Sequence, residues 1–423
     1  MIEIFALKNK IGIRNVLSFA IPALTFIEIN IIGRLFLSEL LLLLIFIFLL
    51  FINKINLNTK IFRNTFILLI CWFISQVVTD IFRGTDPDDF LRGWSNIFFF
   101  LIELLVVNQI INGNEKRIYF CFLGIVLGQL LQYIFSPNKY AAEGEFWKFG
   151  IGYPLTILAF LYCSTKSIWN NKVIYTIILI IVVSTNFFLN ARSLAAVSLL
   201  ALIISLYTFD GGKKCKQKIY KSFSLTKILL IILFVFLSSQ VYSIFILNGY
   251  AGEEARNKYL SQSSGKLGII FGGRQELLVS SIAIIESPIL GHGSWARDPK
   301  YIEMLPDLLT EYGYEDLHPF KYDEDVRRDD FIPTHSHIFG AWVYSGIFGA
   351  IFWLYILFQS FKIIFIKTRL IGEFTPIINF SSILMIWNIL FSPFGAETRV
   401  YTSFTLVIIL YFISKNTAKV GIS

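Results

Sequence analysis

The sequence predicts an all-α polytopic integral membrane protein, organised as one domain over residues 1–423. Two observations carry this prediction. The 423 residues are 55% apolar and only 16% charged, with 43 phenylalanines and a mean hydropathy of +0.66, whereas a soluble globular domain has roughly 25% charged residues. Apolar runs of about 20 residues, the length that crosses a bilayer, recur along the whole chain. The composition excludes an ordinary soluble protein.

Apolar runs alternate with polar connections, and each run predicts one helix. The first run is not followed by a small-residue cleavage site, which is typical of a retained anchor rather than a signal peptide. The runs predict about twelve transmembrane helices. We expect them near residues 15–32, 35–52, 62–82, 91–111, 118–135, 151–165, 173–190, 193–209, 227–247, 337–361, 376–393 and 400–414.

Lysine and arginine are distributed unequally between alternate loops. One set of short loops contains most of them, within the segments 8–14, 54–63, 116–117, 166–172, 213–227, 362–369 and 415–419. Cytoplasmic loops of multi-pass proteins hold such an excess of basic residues. We therefore expect both termini in the cytoplasm. The formal net charge of +8 is explained by this bias, and no nucleic-acid partner is predicted.

Residues 248–334 form one long segment between the ninth and tenth predicted spans, which this topology places outside the cytoplasm. Loops longer than about 15 residues are usually functional or disordered, and the aromatic residues here favour an ordered loop. A helix is predicted from Arg274 to Glu286, ending at Pro288 and Gly291. All four histidines lie in this segment or at its junction with the next span: His292, His318, His335 and His337. We therefore predict a functional site at the outer face of the membrane.

The spacing of the cysteines and histidines predicts neither a metal site nor a disulfide. The cysteines occur singly, without paired spacing, as Cys71, Cys121, Cys163 and Cys215. His335 and His337 are two residues apart, so on a helix they point about 200° from each other and only one faces a given ligand. Zinc requires three or four convergent ligands. The mixed acidic and basic run 323–330 is typical of a solvated surface.

Two arginines stand where a phosphate group would be bound. Arg192 follows Asn190 between two adjacent apolar runs, at the outer interface. The alternative is an arginine that extends to lipid headgroups. Arg274 follows Gly272 and Gly273 at the start of an amphipathic helix, where free N–H groups and the helix dipole attract anions. The alternative there is an ordinary solvated charge.

Two arginines and a histidine outside the bilayer indicate a lipid-anchored substrate that carries phosphate, such as a lipid diphosphate. Glycosyl transfer from such a donor expels a diphosphate, whose charge the bidentate fork of arginine stabilises. A histidine, which titrates near neutral pH, is suited to take the proton of the acceptor hydroxyl. These residues therefore predict a glycosyltransferase.

The same residues resemble the signature of the O-antigen polymerase and ligase superfamily of bacterial envelope glycosyltransferases. The run NARSLAAV at 190–197 resembles the arginine at the head of a span in that family. The runs GRQE at 273–276 and ESPILGHG at 286–293 are similar to its arginine followed by PxxGxG. The run HSHIF at 335–339 with GIFG at 346–349 is similar to its histidine followed by GxxG.

This resemblance implies a fold of the GT-C type and a division of roles among the site residues. Arg192 and Arg274 would bind the undecaprenyl diphosphate leaving group. In the family the histidine precedes the first glycine of the pair by about eleven residues, which selects His335 as the base that activates the acceptor sugar. The resemblance also implies no metal, no other cofactor and no nucleotide sugar.

Three further residues are predicted to bind substrate. His337 is the neighbour of the proposed base, and His292 stands between the two glycines of the PxxGxG run. Arg399, before the last span, is a candidate third phosphate contact, with headgroup contact as the alternative. Glu103 is the most central of the acids near spans, which include Glu28, Glu39 and Asp80, and acids are costly there.

The predicted function is polymerisation of a bacterial surface polysaccharide, O-antigen or capsule, in the inner membrane with the active site on the periplasmic face. A ligase that moves the glycan to a lipid A core or another acceptor is the alternative, and a lipid-linked oligosaccharide flippase is a more distant one. The predicted partners are the undecaprenyl-diphosphate-linked donor and acceptor, membrane lipid, and the chain-length regulator and flippase of the same pathway. The sugars, the linkage and the oligomeric state are not predicted.

Overall fold

The chain is largely helical in the computed structural model, which describes residues 12–30, 34–55, 57, 59–208, 240, 243–250, 252–314, 330–366 and 371–420. The first helices are α1 (Ile13–Ala23), α2 (Leu37–Phe51), α3 (Lys60–Arg83), α4 (Pro87–Ile111), α5 (Glu115–Phe135), α6 (Lys139–Ala142), α7 (Gly152–Cys163), α8 (Lys166–Trp169), α9 (Lys172–Phe188) and α10 (Arg192–Thr208). The later helices are α11 (Glu253–Ser263), α12 (Gly268–Gly272), α13 (Glu276–Glu286), α14 (Pro299–Glu311), α15 (His337–Ser345), α16 (Ile347–Ile364), α17 (Thr375–Phe391) and α18 (Ala396–Val420). A short antiparallel hairpin joins α1 to α2 and consists of β1 (Glu28–Asn30) and β2 (Arg34–Phe36).

Six helices in the described ranges are long and apolar enough to cross a membrane: α3, α4, α5, α16, α17 and α18. The helices α2, α9 and α10 are apolar but shorter, as is α1 with the turn that follows it. Large apolar side chains such as Ile81 and Ile181 are exposed on the outside of the bundle, as expected for side chains that face lipid. The prediction of a helical membrane protein is confirmed. The total of twelve spans and the GT-C-type fold stay predictions.

Local chemistry explains where the first long helices begin and end. The Thr59 hydroxyl accepts a hydrogen bond from the Phe62 N–H at 3.3 Å, which caps the start of α3. Gly84, with φ of 64°, ends α3 in the left-handed conformation. Pro87 opens α4 because its fixed φ suits the first helical turn, and Asn112 ends it at φ of 41°.

Two predicted spans differ from the structure. The first, expected over 15–32, ends as an α-helix at Ala23 and continues as a 3₁₀ turn and then strand β1. The span expected over 337–361 is two helices, α15 and α16, which meet at Gly346. This glycine has φ of 70° and ψ of −156°, so the helical hydrogen-bond ladder stops there. The next N–H, of Ile347, donates instead to the Ile289 carbonyl at 3.1 Å.

The segment predicted as a long loop contains the helices α11 to α14 in its described part. The helix expected from Arg274 begins two residues later, at Glu276, and ends at Glu286 as predicted. A second apolar core joins α13 and α14 to α15, and includes Val279, Leu305 and Val343. The predictions for the lysine-rich segment 213–227, for most of the span 227–247, for His318 and for the run 323–329 concern residues outside the described ranges.

Helix α17 is central to the bundle and packs against α7, α10, α15, α16 and α18. The helices α3, α5, α9 and α17 end at the same end of the bundle at which α4, α7, α10 and α18 begin. The described part of the segment 252–345 packs there, as shown by the Thr79 hydroxyl near the end of α3, which donates to the Leu290 carbonyl. We call this the site end of the bundle, since all the predicted site residues except the buried Arg399 lie on its surface or in the packed segment.

Candidate functional site

Arg274 lies over the C-terminal end of α17. Its Nε donates to the carbonyl oxygen of Phe391, the last residue of that helix, at 3.1 Å, and Nη1 donates to the Gly273 carbonyl at 2.8 Å. The last carbonyls of a helix have no partner within it and form the negative end of its dipole, which attracts a guanidinium. Among the described residues nothing accepts a hydrogen bond from Nη2. Arg274 thus keeps donors for an anion.

The same helix end is bound by the segment that starts α15. The Ser336 hydroxyl donates to the Ile389 carbonyl at 2.8 Å, and Nδ1 of His337 lies 2.6 Å from the Ser392 carbonyl, to which it donates. Ser336 also caps α15 by accepting from the Phe339 N–H. Two sequence motifs separated by about 60 residues therefore meet at one helix terminus.

His335 is held at this place by its neighbours in the chain. It is partly exposed and directly precedes Ser336, so its Cα lies about 3.8 Å from the Cα of a residue anchored to α17. Because His335 precedes the first residue of α15, the helix does not restrict its side chain to one face. The structure therefore places His335 beside the Arg274 contact region, at the site end.

His337 is buried beneath this surface. Its ring lies 4.7 Å from the ring of Trp353 and 5.3 Å from that of Phe394, measured between centroids. With Nδ1 bonded to Ser392, the second nitrogen, Nε2, is buried without a hydrogen-bond partner among the described residues. The two histidines thus have different environments, as their spacing predicts: His335 is partly exposed and His337 is enclosed by aromatic rings.

Arg192 is the first residue of α10, and its Nε donates to the Asn190 side-chain oxygen at 3.1 Å. Asn190 adopts a left-handed φ of 59°, which makes the tight turn between α9 and α10. Helix α10 runs antiparallel to α17, with a hydrogen bond of 2.8 Å from Asn379 to Ser205. Counted from that bond, Arg192 and Phe391 are each about 18–20 Å along their helices. Arg192 and Arg274 therefore lie at the same level of the bundle.

The glycines of the two later motifs form one joint. The N–H groups of His292 and Gly293 donate to the Val343 and Tyr344 carbonyls at 2.7 and 3.1 Å. A Cβ atom on Gly346 would lie 1.9 Å from the Ile289 carbonyl oxygen, and one on Gly291 would lie 2.7 Å from the Gly346 nitrogen. Only glycine permits this close approach of two backbones. The joint fixes α13 relative to α15, and so the Arg274 turn relative to His335.

His292 points into the second core rather than across the joint. Its Nε2 lies 2.8 Å from the Ala283 carbonyl, and its ring meets that of Tyr301 edge to face. Burial lowers the pKa of His292, although the hydrogen bond to Ala283 acts in the opposite direction. The neutral imidazole is therefore favoured at this position.

Arg399 is almost completely buried, at 2% exposure. Its guanidinium bonds the Glu39 carboxylate at 2.6 Å and the Asn96 side chain at 3.0 Å, and it lies 3.5 Å from Glu103. Hydropathy singled out both acids as unusual but gave neither a partner. The structure supplies one because α4 packs against both α2 and α18. Charges in a membrane interior are tolerated when they are paired in this way.

Two residues that hold the site were not recognised as such from the sequence. The Asp80 carboxylate, near the end of α3, accepts from the Ser294 N–H at 2.6 Å, the Ser294 hydroxyl at 2.7 Å and the Trp94 indole at 2.8 Å. Arg83, one turn later, donates through Nε and Nη2 to the Gly291 carbonyl at 3.0 and 2.8 Å. The sequence did contain a signal for these two residues, namely an acid and an arginine one turn apart at the end of a predicted span.

In the part of the chain that the structure describes, no three His, Cys, Asp or Glu side chains come together as metal ligands would. What the site presents is arginine, histidine and backbone groups around the end of α17. This arrangement can bind an anion and accept a proton.

Comparison with known proteins agrees with the motifs. No curated protein matches the chain. Residues 177–354 match a family model described as O-antigen ligase, a range that contains Arg192, Arg274, His292, His335 and His337. The resemblance to the O-antigen polymerase and ligase superfamily is thereby confirmed: this part of the chain, in a helical membrane protein, is similar to the O-antigen ligase family.

Proposed function

We propose that this protein is a membrane glycosyltransferase that polymerises a bacterial surface polysaccharide. The donor is the growing glycan on undecaprenyl diphosphate, and the acceptor is the next lipid-linked repeat unit. The observation that carries the proposal is the meeting of Arg274 and the His335–His337 segment at the C-terminal end of α17. Arg192 begins the neighbouring helix α10 at the same level.

The proposed step is a displacement at the anomeric carbon of the donor sugar. The acceptor hydroxyl oxygen forms a bond to that carbon, and the bond from the carbon to the diphosphate oxygen breaks. The electron pair leaves with undecaprenyl diphosphate, and a ring nitrogen of His335 takes the hydroxyl proton. No oxidant, reductant or further group is needed for the balance.

The arginines are proposed to stabilise the leaving diphosphate. A guanidinium offers five N–H donors in a planar fork, and Arg274 uses two of its groups, Nε and Nη1, on backbone carbonyls. These bonds hold the fork in place while Nη2 is left for phosphate oxygens. An arginine oriented before the reaction stabilises developing charge without reorganisation, which is the main source of rate in such sites.

The contacts give less support for direct substrate binding by the other three predicted residues. His337 bonds Ser392, His292 bonds Ala283, and Arg399 bonds Glu39. Direct substrate contact by them stays a prediction. We propose that His337 positions the segment with His335, because its Nδ1 anchors that segment to α17.

Ligase activity is the second candidate, and the description of the matched family model favours it. A ligase and a polymerase share the donor, the leaving group and the proposed roles of Arg192, Arg274 and His335. They differ in the acceptor, which is the core of a lipid A molecule or another final carrier for a ligase. The acceptor therefore separates the two.

We further propose that the site end faces the periplasm and that the protein lies in the bacterial inner membrane with cytoplasmic termini. The lysine and arginine bias of the opposite loops supports this orientation. The chain-length regulator and flippase of the same pathway remain proposed partners.

The test uses a strain that lacks this protein, supplied with the wild type, Arg274→Ala, Arg192→Ala or His335→Ala. The size distribution of surface glycan and of lipid-linked glycan is measured by gel, together with the amount of protein in the membrane. For the wild type a ladder is expected. In the deletion strain, single repeat units on the final acceptor identify a polymerase, and long chains left on the lipid carrier identify a ligase.

Each of the three variants is expected to lose the ladder at a normal protein level. The matched control is Arg256→Ala, because Arg256 lies in the same segment, is 42% exposed and, among the described residues, forms an ion pair at the surface with Glu253. It should keep the wild-type ladder. Wild-type ladders from Arg274→Ala and His335→Ala would refute the proposed roles of both residues.

A further inference from the structure

A polar cavity of about 700 Å³ lies inside the bundle, apart from the residues discussed above. Its walls are the last turns of α5 and α17 and the first turns of α7 and α18, so it belongs to the site end. Ligand sites typically measure roughly 300–1,000 Å³. This cavity has the size of a site for a small saccharide.

The lining is rich in neutral hydrogen-bonding groups. Amide and hydroxyl side chains come from three of the helices: Gln129, Gln132, Asn388, Thr402 and Thr405. Four tyrosines also line the cavity: Tyr133, Tyr140, Tyr153 and Tyr401. Hydroxyl and amide groups bond sugar hydroxyls, and aromatic faces pack against the C–H faces of sugar rings. The side-chain oxygen of Gln129 is buried without a hydrogen-bond partner among the described residues.

Three cations line the cavity, Arg34, Lys139 and Lys148; Lys139 is exposed to solvent, and the other two are paired. Arg34 bonds Glu28 at 2.6 Å and also contacts Glu397, while Lys148 bonds Glu145 at 2.8 Å. These two cations are therefore neutralised by carboxylates of the protein. A diphosphate would have to displace those carboxylates, whereas a neutral saccharide would not.

Polar residues line the cavity deep inside the bundle. Thr405 is nine residues into α18 and Ser381 is ten residues before the end of α17, which places both about 14 Å below the site end. Uncompensated polar groups at that depth in a membrane protein are costly, and they face cavities or pathways when they occur. We therefore give the polar lining, which extends from the site end into the bundle, a functional rather than a packing explanation.

The cavity lies on the face of α17 opposite the one that contacts α10. Asn379 faces α10 through its bond to Ser205, and Leu384 and Asn388, which line the cavity, are rotated from it by about 140° and 180°. Arg192 is on the α10 side, and Arg274 lies over the end of α17. The helix end thus separates the side with the two arginines from a cavity that is lined mainly by neutral polar groups.

We propose that this cavity is the saccharide site for the acceptor repeat unit, an inference that rests on the glycosyltransferase function proposed above. The diphosphate of the donor is bound on the arginine side, and the acceptor sugars enter the cavity between α5, α7, α17 and α18. The end of α17 then lies between the two substrates, where the reacting hydroxyl and the anomeric carbon must meet.

The experiment measures binding of two probes to the purified full-length protein in lipid nanodiscs. One probe is the saccharide that mild acid releases from the lipid-linked repeat unit of the deletion strain. The other is undecaprenyl diphosphate without sugar. The variants are Gln132→Met and Thr405→Val, which keep the approximate shape but remove hydrogen bonds. The control is Thr176→Val, on the exposed face of α9, where the hydroxyl donates to the Lys172 carbonyl of its own helix.

Gln132→Met and Thr405→Val should each weaken saccharide binding about tenfold, the effect of losing one or two hydrogen bonds, and leave undecaprenyl diphosphate binding unchanged. Arg274→Ala should show the reverse pattern, and Thr176→Val should match the wild type. Wild-type saccharide binding by both cavity variants, or no saccharide binding by the wild type, would overturn the proposal. Weaker binding of undecaprenyl diphosphate by the cavity variants would assign the cavity to the lipid diphosphate instead. Failure of the glycosyltransferase proposal is detected separately, as intact ladders from Arg274→Ala.

Discussion

Arg274 and His337 bind adjacent carbonyl groups of one helix end. Nε of Arg274 donates to Phe391 at 3.1 Å, and Nδ1 of His337 donates to Ser392 at 2.6 Å. A shift of either motif relative to α17 would therefore break a hydrogen bond to a terminal carbonyl that has no helical partner. Arg274, the proposed phosphate ligand, and the segment that contains His335, the proposed base, are thus both anchored to the C-terminal end of α17.

The first prediction concerns His337 as a positioning residue. His337→Asn retains an N–H donor near Nδ1 and should keep most glycan synthesis. His337→Ala loses the bond to Ser392 and the contact with Trp353, and should destabilise the protein by about 3 kcal/mol. Thermal unfolding in nanodiscs and glycan ladders measure the two effects. Loss of the ladder in His337→Asn at wild-type stability would instead show that the imidazole takes part in the chemistry.

The second prediction concerns the glycine joint. Gly346→Ala should cost more than about 3 kcal/mol, because the new methyl group would overlap the Ile289 carbonyl at a φ of 70°. Gly372→Ala is the matched control: its φ is 69°, but nothing lies within 4 Å of the added Cβ, so only the backbone strain of about 1–2 kcal/mol remains. The amount of folded protein and the unfolding temperature measure both. Equal losses in the two variants would contradict a role for the close approach.

The third prediction concerns Asp80. Asp80→Asn puts an amide donor against the N–H and hydroxyl groups of Ser294 and the indole of Trp94, and should cost about 2–3 kcal/mol. Hydrogen exchange of residues 291–298 should rise, because this contact anchors the segment to α3. Asp86→Asn is the control, since Asp86 is exposed and its side chain does not cap α4. Unchanged exchange in Asp80→Asn would show that the joint alone holds the segment.

The fourth prediction separates two roles for Arg399. Arg399→Ala leaves the Glu39 and Glu103 carboxylates buried without their cation, and should cost about 3–5 kcal/mol. Arg399→Met combined with Glu39→Gln should recover part of that loss, because the double variant removes one buried positive charge and one buried negative charge. The unfolding temperature and the membrane level of the variants are measured. A stable Arg399→Ala protein that lacks only glycan synthesis would favour direct contact with the substrate phosphate.

The fifth prediction concerns pH. Burial lowers the pKa of His292 in the folded protein, with Arg83 acting in the same direction and Glu286 and Asp298 opposing it. The unfolded chain, with a histidine pKa of about 6.5, therefore binds more protons in acid than the folded protein does. Stability contributed by His292 is present above about pH 6.5 and is lost as the pH falls. The fall in unfolding temperature from pH 7.5 to pH 5.5 should be smaller in His292→Gln than in the wild type. An equal fall in both would contradict this assignment.

Membrane helices follow from local hydropathy, and so each of the six long apolar helices of the described residues coincides with or overlaps a span that the sequence predicted. The failures occur where a distant backbone intervenes. The span expected over 337–361 breaks at Gly346 because Ile289, far away in the chain, supplies the hydrogen-bond acceptor. The run of apolar residues contains no sign of that contact.

The sequence by itself determined the helical membrane class and the family motifs, including the arginines and histidines that the proposed chemistry uses. These are properties of composition and of short, contiguous patterns. Only the tertiary structure decided which partners the polar residues of the chain have. Arg274 meets Phe391 across 117 positions, Asp80 meets Ser294 across 214, and Arg399 meets Glu39 across 360. Hydropathy marks a buried charge as costly, but its partner depends on how the helices pack, and that information is distributed over the whole chain.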